Sequence, residues 1–77
     1  MGMRITDKDL KEKERRVNFC LRKTDVKASG RYGYTAIDIV DRENPHGVRT
    51  LISGLTKRDA YYFLDAMENL LRAEGYC

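Results

Sequence analysis

Residues 53–75, SGLTKRDAYYFLDAMENLLRAEG, constrain the fold more than any other part of the chain. Ala60, Phe63, Leu64, Met67, Leu70 and Leu71 recur at i, i+3, i+4, i+7, i+10 and i+11, which places them on one stripe of an α-helix. Thr56 stands just before the stripe, where its hydroxyl can accept from the backbone of Asp59, and the Asp59 carboxylate can reach back in return. Gly75 supplies a natural stop. The spacing predicts a helix over 57–73. A helix apolar on one side has to bury that side, so the chain must supply a second layer.

The remaining periodicity supplies it as sheet. YTAIDIVD (34–41) reads as a strand, RENPHG (42–47) as a turn containing Pro45 and Gly47, and VRTLIS (48–53) as the returning strand. Symmetric closure sets Asp41 opposite Val48, Ile39 opposite Thr50 and Ile37 opposite Ile52. Thr35, Ile37, Ile39, Val48, Thr50 and Ile52 then share the apolar face, and Tyr34, Ala36, Asp38, Val40, Arg49, Leu51 and Ser53 the opposite one. In VNFCLRK (17–23), Val17, Phe19 and Leu21 alternate, which predicts a first strand adding to the apolar face. Leu10, Val17 and Leu21 also fit an extension of the preceding helix, so two assignments stand for this segment. TDVKASGRYG (24–33) reads as a loop. Thr6 and Asp9 cap a charged helix over 7–16 whose one apolar residue is Leu10.

These elements predict an α+β fold. A three-stranded antiparallel sheet (about 17–23, 34–41 and 48–53) packs on the C-terminal helix (about 57–73), with a short N-terminal helix (about 7–16). Seventy-seven residues suit one small domain. Residues 3–77 are read as that domain, and Met1-Gly2 as an expression remnant. A chain this short has a small core, and self-association is one common remedy.

Composition narrows the function classes. The net charge is +3, with hydrophobic residues at 42% and charged residues at 35%, values of a globular domain. The basic excess is in the first half, where residues 1–31 hold ten Lys/Arg against five acids. No apolar run approaches the roughly 20 residues of a membrane span, and the first ten residues lack the apolar region of a signal peptide. Cys20 and Cys77 are too few for a disulfide scaffold, and free thiols point to a reducing compartment. A cytoplasmic protein is expected. Cys20 with His46, the single histidine, is the one conceivable nucleophile–base pair, and Cys20, His46 and Cys77 the one conceivable zinc set. Neither has the spacing that such chemistry needs. No phosphate-binding glycine loop is present, since SGRYGY (29–34) precedes a strand and not a helix. No catalytic residue, metal ligand, cofactor or small-molecule substrate is expected.

Two kinds of partner remain. On the outer sheet face, Tyr34, Val40, Arg49 and Leu51 have the mix of apolar, aromatic and arginine groups found in protein interfaces, which suits a protein partner or a homodimer. The alternative is a nucleic-acid module. Arg15, Arg16, Arg22, Lys23, Lys27 and Arg31 make a basic half that would contact phosphates beside Tyr32 and Tyr34, and Lys57 and Arg58 sit in a first helical turn where the dipole disfavours cations. A three-stranded sheet followed by a helix is similar to the arm-binding domains of tyrosine recombinases and to the plant AP2 domain. The alternating acids Asp7, Asp9, Glu12 and Glu14, and Asp38 in mid-sheet, favour the protein partner.

The order of motifs carries a further likeness. ITDKDLK introduces the charged helix. RYGYTAIDIVDRENPHGV forms an aromatic-glycine strand, a polar-glycine turn and a valine strand. SGLTKRDAYYFLDAMENLL opens the last helix on T-K-R-D. Across most of residues 3–72 this resembles small uncharacterised proteins encoded by tailed phages and prophages. The stretch between Lys23 and Arg31 departs from that pattern, being more basic and polar. The resemblance implies a phage-type accessory protein and brings no catalytic or binding residue with it.

Overall fold

Thr6 opens the first helix through a reciprocal cap. Its hydroxyl accepts from the Asp9 amide at 3.2 Å, and its own amide donates to the Asp9 carboxylate at 2.9 Å. The backbone bond from Thr6 holds the Asp9 carboxyl below its ordinary value. The computed structural model describes residues 4–77, so the reading of Met1-Gly2 falls outside it. The elements in order are α1 (Asp7–Cys20), β1 (Thr24–Arg31), β2 (Tyr34–Asp41), β3 (Val48–Leu55) and α2 (Lys57–Ala73), an α+β arrangement.

The strand expected over 17–23 does not form. The helix extends through Cys20, the other assignment that the spacing allowed. Its buried side is Leu10, Lys13, Val17 and Cys20, at i, i+3, i+7 and i+10, so the stripe is completed by a lysine stem and a cysteine. Phe19, expected on the apolar sheet face, is instead 86% exposed on the outer side of α1. Arg42 secures the end of the helix. Its guanidinium donates to the carbonyls of Asn18 and Leu21 at 3.0 and 3.4 Å, and to the Asp25 carboxylate at 3.0 Å.

The first strand is instead Thr24–Arg31, within the segment read as a loop. All eight of its residues pair antiparallel with β2, from Thr24 opposite Asp41 to Arg31 opposite Tyr34. The two-residue connection Tyr32-Gly33 has positive φ at both positions, 54° and 81°, the geometry of a tight hairpin turn that follows strand twist. Its outer edge is closed by α1. Asn18 accepts from the Val26 amide at 2.7 Å and donates to the Val26 carbonyl at 3.1 Å, and Glu14 accepts from the Ala28 amide at 3.1 Å. These bonds stand in for a neighbouring strand.

Ile37 faces Ile52 as inferred from the turn, but the register then slips. Asp38 lies opposite Thr50, so one residue of β2 spans two of β3 and Leu51 is extra. A second bulge lies between Ile52 and Leu55, where Gly54 has φ 73°. The first bulge corrects the predicted faces. Val48 and Thr50 turn to the side of Val40 and Asp38, away from the core, while Arg49 comes beside Ile39 on the helix side.

The sheet order is β1-β2-β3, and both helices cover the same face. Ile5, Leu10, Val17, Val26, Ile37, Ala60 and Leu64 form the buried cluster, with Ile39, Ile52, Phe63 and Met67 packed against it. Each fully buried aliphatic side chain here contributes about 1.5–3 kcal/mol. The helices run parallel, because contacts between them rise in step. Lys57 bridges Asp7, Lys13 bridges Asp65 and Glu68, and Cys20 is bonded to Cys77.

Candidate interaction surfaces

Three links tie α1 to α2 and the segment after it, namely the Lys57–Asp7 pair, the Lys13 pairs and the Cys20–Cys77 disulfide, and the sequence singled out none of them as a link. The Lys13 ammonium lies between α1 and α2, 2.7 Å from the Asp65 carboxylate and 2.8 Å from that of Glu68. Arg72 binds Glu68 from the other side through two N–H groups at 3.2 and 2.9 Å. Burial by itself pushes the Lys13 ammonium down, but its bonds to Asp65 and Glu68 outweigh this and raise it above the ordinary 10.5. The hydrogen bond from Lys13 holds the Glu68 carboxyl below 4.5 against the opposing effect of burial, with Arg72 assisting. The third link is the Cys20–Cys77 disulfide, which corrects the expectation of free thiols and removes that basis for a reducing compartment. Cys20 is thereby also taken out of any pairing with His46.

The sheet face away from the helices is open. Tyr34 and Val40 of the predicted protein interface lie there, and the bulge adds Val48 directly opposite Val40. Tyr34 is 56% and Val48 52% exposed. Arg49 lies on the helix side instead, and Leu51 is the unpaired bulge residue. The charges expected in mid-sheet are satisfied internally. Asp38 is buried and accepts from Thr50 at 2.8 Å and from the Arg31 guanidinium, which also reaches Thr50 at 3.2 Å. With Asp38 neutralised, it no longer repels an approaching surface. Beside this network, Ala36, Thr50, Ser53 and Gly54 floor a shallow groove of about 480 Å³, walled by Arg31, Tyr32 and Tyr34. Tyr32, at the positive-φ hairpin tip, is fully exposed.

The residues proposed for nucleic acid do not gather on one surface. Arg22 and Lys23 follow the end of α1, where Arg22 lies 5.2 Å from the ring of Tyr76. Lys57 and Arg58 begin α2 at the opposite end of the helix layer. Lys57 pairs with Asp7 at 3.1 Å, and Arg58 lies 5.7 Å from the ring of Tyr62. These contacts account for two cations that the helix dipole disfavours. Lys27 is exposed on β1, and Arg31 is engaged by Asp38.

Among the described residues no three His, Cys, Asp or Glu side chains are grouped to hold a metal ion, and no helix is long and apolar enough to cross a membrane. Compared with known proteins, the chain matches no family model, no curated protein and no solved structure significantly.

Proposed function

We propose that the protein is a non-enzymatic accessory protein of phage type, which acts by binding a protein partner or a second copy of itself through the open face of its sheet. One observation carries the reading. Both helices cover the same sheet face, and the other face carries the exposed Tyr34 on one side of a buried, internally paired Asp38 and the exposed Val48 with the half-buried Val40 on the other. Apolar groups flanking a satisfied acid lose little when water leaves, and Tyr34 and Arg31 beside them are residue types enriched in interfaces. The edge of β1 is sealed by Asn18 and Glu14, so the asymmetry also favours approach from the β2–β3 side.

Sedimentation velocity across a concentration series tests the self-association branch. The wild-type chain is expected to shift toward a dimer, and Val48→Glu to remain monomeric. A wild type that stays monomeric throughout removes the homodimer and leaves the heterologous partner. A Val48→Glu chain that dimerises like wild type removes the open face as the site.

A further inference from the structure

The outer side of α1 near its C-terminal end carries a feature that neither the core nor the open sheet face employs. Phe19 is 86% exposed, more than any other large apolar side chain among the described residues except Tyr32. Arg15 and Arg16 lie one turn before it on the helix, and Arg22 and Lys23 follow in the segment that leaves α1 at Leu21. All four are exposed, and none forms an ion pair among the described residues. No acid occurs between Arg15 and Asp25. The Tyr76 ring adds a second aromatic group against Arg22, tethered there by the adjacent Cys77 in its disulfide to Cys20.

We propose that this patch binds single-stranded nucleic acid, with a base stacked on Phe19 and the phosphates met by Arg15, Arg16, Arg22 and Lys23. A flat apolar ring set among unpaired cations complements a strand in which planar bases alternate with anionic phosphates. An anionic bilayer would call for a broad apolar stripe, but the preceding positions on this side of α1 are Lys8, Glu12 and Arg15. A duplex keeps its bases stacked on one another and offers Phe19 no open ring. The surface belongs to the helix layer, so it stands independently of the sheet face.

Fluorescence anisotropy of a labelled oligothymidylate with the full, oxidised chain tests the proposal. Micromolar binding is expected at about 50 mM salt, falling steeply by about 200 mM. Phe19→Ala should weaken it by about 5- to 100-fold, the loss typical of a base–aromatic stack. Arg15→Gln and Lys23→Gln should each flatten the salt dependence by about 0.7 in slope. Phe19 packs against nothing in the core, so its removal leaves the fold intact. Absence of binding at micromolar protein and low salt overturns the proposal. So does a Phe19→Ala chain that binds like wild type, or equal binding to polyglutamate or phosphatidylserine vesicles.

Discussion

Replacing Lys13 with Met probes the least expected part of the architecture. The methionine keeps an apolar stem on the buried side of α1 but withdraws the ammonium from Asp65 and Glu68. Removing one partner of a buried ion pair costs about 3–5 kcal/mol when the other charge is stranded. Here Glu68 keeps both of its bonds to Arg72, and the Asp65 side chain, 40% exposed, can rehydrate. The loss should therefore be nearer 2 kcal/mol, or about 8–16 °C in Tm for a domain of this size. Urea denaturation of the oxidised chain measures it. Adding Glu68→Leu, which removes the buried acid as well and leaves the exposed Arg72 to water, should bring stability back to within about 1 kcal/mol of wild type. The pH profile adds a check of sign. Glu68 has a lowered folded pKa, so its contribution is present above 4.5 and is lost as pH falls through the lowered value. Lys13 has a raised one, so its contribution is present below 10.5 and is lost as pH rises through the raised value. Lys13→Met should lack that alkaline loss. A Lys13→Met chain as stable as wild type would refute the burial of this pair between the helices.

Three other substitutions have definite expected outcomes. Cys77→Ser opens a link between residues 57 positions apart and should cost about 2–4 kcal/mol by chemical denaturation under oxidising conditions. Tyr32→Asn should stabilise by a few tenths to about 1 kcal/mol in thermal unfolding, because Asn tolerates the positive φ of the turn better than Tyr and Tyr32 makes no buried contact. Arg42→Ala uncaps the end of α1 and should cost about 1–2 kcal/mol, with faster hydrogen exchange at Val17–Cys20.

The span of the helix over 57–73 was legible because its cap, stripe and stop are local signals, although only the Thr56 half of the expected reciprocal cap forms and Leu70 of the stripe is exposed. β2 and the course of β3 were legible for the same reason. The strand β1 was not, since TDVKASGR has little intrinsic strand character and is held by β2 on one side and by Asn18 and Glu14 on the other. Tyr32-Gly33 between two arms was the available clue. The length of α1 was ambiguous because Lys13 fills a core position, and its neutralising partners lie more than fifty residues away. The bulge at Leu51 has no local signature, and it alone exchanged Arg49 for Val48 on the open face.

The functional reading stands or falls on that face. Equal amounts of immobilised wild-type and Val48→Glu protein, exposed to lysate of the native cell and compared by quantitative mass spectrometry, test it most directly. The account predicts a protein retained at stoichiometric level by wild type and lost with Val48→Glu while circular dichroism stays unchanged. The same protein retained equally by both chains would contradict it.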